Sequence, residues 1–229
     1  MTTIISPHID DAAFSLGLLI GKILKQNQEL TIVNCFSISN FTLDKRSSDV
    51  ERITALRKQE DEALNKLHNN QIKFEYLDLL DAPIRNRGVE FNGTLTDDDQ
   101  VVITELRSYL VDNLRDSVQV YAPISIGNHV DHVICLESLL GLKLMQEYYV
   151  SFYEDLPYSQ WVSEKMIQSK LQFIQDKTKT NLYPDLISFQ DIELKCSLLN
   201  CYASQVNEAM VADMMRYTAN LGGERTWHF

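Results

Sequence analysis

Thr2-Thr3-Ile4-Ile5-Ser6-Pro7-His8-Ile9-Asp10-Asp11-Ala12-Ala13-Phe14 opens the chain, and its reading decides the fold class. Residues 3–6 form a β-branched and apolar run without polar alternation, the pattern of a strand buried on both faces of a parallel sheet. Pro7 ends that run, and from 12 to 26 the apolar residues recur with helical period. A strand entering a helix through a short polar turn is the first half of a βαβ unit, and the pattern repeats downstream. Strands are expected over 30–37, 73–77, 118–122 and 150–153, with helices over 50–69, 98–116 and 133–147 between them. The last third reads as helices over 159–176 and 190–207 followed by a less regular tail. This alternation predicts an α/β fold, a Rossmann-like three-layer sandwich around a mostly parallel sheet.

With 229 residues, 45% of them hydrophobic and 23% charged, the chain can build one sizeable core, so a single domain over 1–229 is expected. The 21 basic residues against 32 acidic ones leave a net charge of −11, which argues against nucleic acid and anionic membrane surfaces as partners. No apolar run reaches the roughly 20 residues a bilayer span needs. The run over 12–20 follows two aspartates and lacks the flanks of a signal peptide, so a cytoplasmic location is expected. Cys35, Cys135, Cys196 and Cys201 show no C-x-x-C spacing and read as reduced core thiols. The polar stretch over 81–99, with Pro83, Gly88 and Gly93, is too long for an ordinary connection and is expected to be a functional loop.

In open α/β sheets, ligands bind beyond the carboxyl ends of the strands. Two clusters fall there. Ser6-Pro7-His8-Ile9-Asp10-Asp11 follows the first strand, and Pro123-Ile124-Ser125-Ile126-Gly127-Asn128-His129-Val130-Asp131-His132 follows the fourth. Only five histidines exist in the chain, and three sit in these two stretches. Alone, an Asp-Asp pair after a strand reads as a helix cap and a His-x-x-His pair at a helix start as solvated surface. Together they supply imidazole nitrogen and carboxylate oxygen on two strand ends that a parallel sheet can bring side by side. That donor set suits zinc or another divalent first-row metal. His8, Asp11 and one histidine of the second pair would give three ligands and leave a position open. Asp10, Asp131 and the other histidine would remain for acid–base and supporting work.

His8-Ile9-Asp10-Asp11 resembles the HxDD signature, and His129-Val130-Asp131-His132 the HxDH signature, of the PIG-L (LmbE-like) zinc-dependent N-deacetylases. Arg57-Lys58-Gln59-Glu60 is similar to that family's Arg-x-x-Glu helix, and Tyr202-Ala203-Ser204-Gln205 to its C-terminal Tyr-x-Ser-Gln element. The resemblance implies a Rossmann-like fold and hydrolysis of an acetamide on an N-acetylglucosamine-type sugar. It also implies zinc on His8, Asp11 and His132, with Asp10 as general base. His129 becomes the electrostatic or acid partner, a protonated imidazole oriented by Asp131. Where the family commonly carries Glu and Pro, this chain has Ala12 and Ile9; neither position is a metal ligand.

For the substrate, Arg57, Ser39, Asp81, Arg85 and Glu154 are the candidates. Asn40, Arg87, Tyr153 and Asp155 also fall near the same sheet edge. The expected partner is a small N-acetylated sugar or glycoconjugate, and homo-oligomerisation is left open. Two alternatives stand beside this reading. One is a metal-dependent phosphoesterase on the same ligands, and the other a non-catalytic sugar-binding module that retains its metal. Dinucleotide redox chemistry is disfavoured, because the first strand turn lacks G-x-G-x-x-G.

Overall fold

A computed structural model describes residues 1–43, 49–85, 87, 92–142, 149–188 and 191–229 of the chain. Five parallel strands form the centre: β1 (Thr2–Ser6), β2 (Leu30–Asn34), β3 (Ile72–Tyr76), β4 (Gln119–Pro123) and β5 (Tyr149–Tyr153). Two further strands, β6 (Tyr183–Ser188) and β7 (Gly223–His228), extend the sheet, with β7 antiparallel to both β5 and β6. The order across the sheet is β3-β2-β1-β4-β5-β7-β6.

Alternate side chains of the buried strands feed two cores. Ile4 and Ile32 face one together with α1 (Asp11–Lys25), while Ile5 and Val33 face the other together with α3 (Asp97–Asn113) and α4 (Val130–Leu140). The first core also holds Leu64 of α2 (Val50–Leu67) and Leu198 and Met214 of α6 (Ile192–Asn200) and α7 (Glu208–Leu221). The second is closed by Ile167 and Leu171 of α5 (Glu164–Thr178). The architecture is thus mixed α/β in three layers.

β1 pairs with β2 on one side and with β4 on the other, so the winding direction of the chain reverses between β1 and β4. A crevice opens at such a reversal because the two connections leave toward opposite faces. The segments after β1 and β4 are those that carry the two His/Asp clusters.

The structure departs from the sequence expectations mainly in the last third. β2 stops at Asn34 rather than at residue 37, because Cys35 and Phe36 turn away and donate their backbone N–H groups to Ser6 and Pro7 carbonyls. The helix expected over 159–176 is a short 3-10 turn, Tyr158–Trp161, followed by α5. That expected over 190–207 is only α6, and the tail holds α7, while β6 and β7 were not anticipated as strands. β6 is largely exposed and carries Pro184 and Asp185, so neither burial nor alternation marks it. Residues 143–147 of the helix expected over 133–147, and residues 86 and 88–91 of the loop over 81–99, lie outside the described residues. Cys35 and Cys135 are buried as expected, whereas Cys196 and Cys201 are only half-buried.

Candidate metal centre and catalytic pocket

The turn after β1 is fixed by its own side chains. Ser6 Oγ donates to the His8 carbonyl and accepts from the Ala12 N–H, while Asp11 Oδ2 accepts the His8 N–H at 2.8 Å. Asp10 precedes α1 but its carboxylate caps nothing; it pairs with Arg57 Nη2 at 2.6 Å. The side-chain cap expected of the aspartate pair is therefore not made by Asp10, while Asp11 stands in the first turn of α1, where a carboxylate suits the helix dipole. After β4, Ser125 and Asn128 adopt left-handed backbone and Gly127 has φ +81°, a turn that delivers His129 to the start of α4. A Cβ at Gly127 would stand 3.0 Å from the Tyr158 ring, so glycine satisfies both the backbone and the space there.

These two turns bring His8, Asp10, Asp11, His129, Asp131 and His132 together. Asp11 Oδ2 lies 3.1 Å from His8 Nδ1 and 3.2 Å from His132 Nε2. Each imidazole is held from behind by a carboxylate on its other nitrogen: His8 Nε2 by Asp131 at 3.0 Å, and His132 Nδ1 by Asp155 at 2.6 Å. A carboxylate behind a histidine fixes the ring orientation and makes the front nitrogen a better ligand. The buried Nε2 of His132 makes no well-directed hydrogen bond; its polar neighbour is Asp11 Oδ2 at 3.2 Å, an arrangement that a cation between the two would satisfy. Ligand atoms of His8, His129 and His132 all fall within 4.8 Å of one another. The donor set of two neutral-capable imidazoles and one carboxylate fits a divalent first-row metal.

Electrostatics point the same way. Burial opposes charge on His8, yet Asp11 and Asp131 raise its pKa to about 9. Burial likewise opposes His132, and Asp11 and Asp155 raise it to about 10. Burial would raise Asp11, but His132 and His8 hold its carboxyl well below the usual range. The carboxylates thus attract positive charge onto the two imidazoles. Burial pushes Asp10 above its ordinary range while Arg57 pulls it down.

His129 differs from its expected state. Its Nδ1 accepts the Asp131 N–H at 3.3 Å and lies 4.0 Å from the Asp131 carboxylate, which is turned instead to His8, the Ala82 N–H and Arg85 Nη2. Burial and the neighbouring His8 lower its pKa to about 3. Burial and His8 thus favour the neutral form of His129, and the Asp131 N–H on Nδ1 favours a proton on Nε2.

A cavity of about 240 Å³ opens over this cluster, lined among others by His8, Asp10, Asp11, Arg57, Asp81 and His129. Of the substrate candidates, Arg57 and Asp81 reach it. Ser39 is fully buried behind them: its hydroxyl donates to Asp81 Oδ2 and accepts from Arg57 Nη1 at 3.2 Å. Arg85 is committed to Asp131 and lies over the Phe36 ring, and Arg87 pairs with Asp99 at 3.3 Å. Glu154 points away altogether, accepting from Arg225 Nε, Trp227 Nε1 and Tyr217 OH. Tyr153 OH donates to the Ile5 carbonyl, and Asp155 orients His132. The run 153–155 thus touches no substrate space, a correction to the sequence reading. Gln205 of the Tyr-x-Ser-Gln element also lines the cavity, whereas Phe41, Leu43, Pro157, Tyr158, Trp161 and Met210 were not singled out, because nothing local marks an apolar wall.

Fold and cluster define a class: a Rossmann-like α/β enzyme with a His/Asp cluster able to hold a cation at the winding reversal of its sheet. The particular family follows from comparison, since the family model described as PIG-L, GlcNAc-PI de-N-acetylase, matches residues 3–143. The chain belongs to the PIG-L family and is an amide hydrolase of the N-deacetylase kind. It is 24% identical over 235 residues to a 2'-N-acetylparomamine deacetylase of Streptomyces fradiae, covering 99% of this chain and 80% of that protein. The zinc inhibited form of teicoplanin deacetylase Orf2 shares its fold with a TM-score of 0.71 at 20% identity, covering 99% of this chain and 97% of the other. N,N'-diacetylchitobiose deacetylase from Pyrococcus horikoshii gives a TM-score of 0.56 at 15% identity, covering 98% and 80%.

Proposed function

We propose that this chain is a zinc-dependent N-deacetylase that removes the acetyl group from an N-acetylglucosamine-type sugar or its conjugate. The observation that carries the reading is the convergence of Asp11 Oδ2, His8 Nδ1 and His132 Nε2, each imidazole backed by its own carboxylate. His8, Asp11 and His132 would hold the metal. Bound there, zinc supplies Lewis acidity and lowers the pKa of water from 15.7 to about 7.

The remaining chemistry belongs to the chain. Asp10 faces the cavity beside Asp11, where its carboxylate takes a proton from the attacking water. The same group returns that proton to the amine nitrogen as the C–N bond breaks and the new C–O bond is kept in acetate. Arg57, at 2.6 Å, holds Asp10 in place through the exchange. His129, which lines the cavity, donates to the oxygen that gains charge in the tetrahedral intermediate. Asp81 lines the cavity and its buried Oδ1 has no hydrogen-bond partner, which supports a role in accepting from a sugar hydroxyl.

The test is amine release from N-acetylglucosamine and its glycosides. Chelation should abolish turnover and added zinc restore it, with excess zinc inhibiting. Asp10→Asn should keep its metal and lose about 10²- to 10⁴-fold in kcat, the span of a general acid–base contribution. Full activity of that variant overturns the role of Asp10. No release from any N-acetylated sugar by zinc-loaded enzyme overturns the deacetylase reading and favours a metal-retaining binding module.

A further inference from the structure

The cavity has two chemistries. Its titratable side chains among the described residues, His8, Asp10, Asp11, Arg57, Asp81 and His129, gather at the cation centre. The rest of its wall is Phe41, Leu43, Pro83, Pro157, Trp161 and Met210, with Phe14, Tyr158 and Gln205 between the two regions. Leu43 and Trp161 are 37% and 63% exposed, so large apolar surface stands in water on the rim of a catalytic cleft. Single exposed apolar residues are ordinary, but an exposed indole continuous with a functional pocket marks a binding face. Tyr158 meets Trp161 edge-on, ring centroids 6.1 Å apart at 79°, which supports the indole from one side. Gln205 offers no free donor, since its Nε2 is spent on the Phe41 carbonyl and Ser204 Oγ.

We infer that the apolar wall is an aglycone subsite, and that the substrate is an N-acetylated sugar carrying an uncharged, ring-bearing apolar aglycone that stacks on Trp161 and packs against Leu43 and Met210. This rests on the deacetylase reading above and specifies its substrate. The sugar lies on the polar floor, where Asp81 and Arg57 meet its hydroxyls and Asp10 its acetamide. The aglycone then leaves along the wall. Against this wall an aromatic ring gains both apolar burial and a stacked or edge-to-face contact.

The experiment compares zinc-loaded enzyme on free N-acetylglucosamine and on its methyl, phenyl, 2-naphthyl and phosphoryl-inositol conjugates, in both anomers. The expected result is a kcat/KM for the naphthyl glycoside at least about 10-fold above that of the methyl glycoside, carried by KM, as covering one aromatic face predicts. The naphthyl-to-methyl ratio should collapse toward unity in Trp161→Ala and survive in part in Trp161→Phe. Equal rates across aglycones, preference for the phosphorylated conjugate, or an unchanged ratio in Trp161→Ala each overturn the subsite while leaving the deacetylase reading intact. Binding of methyl and 2-naphthyl glucoside, which carry no acetamide, separates the two claims by calorimetry. Tighter, Trp161-dependent binding of the naphthyl compound without deacetylation of any sugar keeps the subsite and removes the reaction. Equal binding of both glucosides removes the subsite whatever the reaction does.

Discussion

Glu154 and Asp155 are neighbours after the same strand, yet they serve different parts of the molecule. Asp155 is fully buried and divides its carboxylate between His132 Nδ1 and the Ile126 N–H, so it fixes both a ligand ring and the turn that leads to His129. Glu154 binds Arg225, Trp227 and Tyr217, and so ties β7 and α7 to the end of β5. The sequence places both at the functional edge. It does not say which side each faces, because one step along an extended chain reverses the side chain. Asp155→Asn should therefore weaken zinc binding about 10- to 100-fold, the usual cost of losing the carboxylate behind a ligand histidine. Competition against a chromophoric chelator measures it, and unchanged affinity would sink the assignment. Glu154→Gln should leave zinc affinity alone and lower unfolding free energy by about 1–3 kcal/mol, the cost of weakening buried charge-assisted hydrogen bonds. Equilibrium denaturation of the same preparations distinguishes the two variants.

At the scale of elements, α1 is the piece that carries Asp11, and it is broken. Leu16 has φ −129° and ψ 25°, outside the helical region, and the break falls beside the Phe14 carbonyl and the Leu18 and Leu19 N–H groups. Lys195 of α6 donates to that carbonyl, while Glu224 of β7 accepts both N–H groups, at 2.8 and 3.1 Å. The two side chains also pair with each other at 2.6 Å, fully buried. α6 can approach because Gly21 has no side chain; a Cβ there would lie 2.2 Å from Leu194. Periodicity found α1 as a helix but cannot reveal a break repaired by residues about 180 and 210 positions away. The parallel strands and their helices were legible for the opposite reason, since their burial is written locally as uninterrupted apolar runs. The same distance effect hid the antiparallel end of the sheet. The repair predicts an asymmetry. Glu224→Ala leaves a buried lysine charge and two orphaned N–H groups, and should cost about 3–5 kcal/mol. Lys195→Met leaves Glu224 still bonded to both N–H groups and should cost clearly less. Denaturant melts of both variants check the order, and a larger loss in Lys195→Met refutes this account of the break.

At the scale of the whole molecule, the family match ends at residue 143, but the site does not. Asp155, Tyr158, Trp161, Gln205 and Met210 all come from beyond it and supply the His132 support and much of the apolar wall. What joins the later part to the earlier is Asp61 on α2. This fully buried carboxyl accepts from Asn34 of β2, Tyr76 of β3 and Tyr202 beyond α6, while Glu60 beside it accepts from both the N–H and the hydroxyl of Ser204. The resemblance of 57–60 and 202–205 to family elements was visible in the sequence, but that one clamps the other was not. Burial outweighs the donors Tyr202 and Tyr76 and the charge of Arg57, and pushes the Asp61 pKa up to about 8. In the unfolded chain an aspartate titrates near 4, roughly its unperturbed value. Between those two values the folded protein keeps a proton that the unfolded chain has released, so unfolding releases a proton and becomes easier as pH rises. The Asp61 contribution to stability is complete below pH 4 and is lost progressively up to about pH 8. Unfolding free energy from denaturant titrations between pH 5 and 8 should fall with pH by up to about 1.4 kcal/mol per unit from this one group. Asp61→Asn keeps an acceptor for the tyrosines, cannot titrate, and should flatten the slope by that amount even if it lowers stability at every pH. A variant with the wild-type slope would mean that Asp61 is already ionised in the folded protein, held by its three donors and Arg57. The joint between the two parts of the chain would then be an anion clamp rather than a buried acid.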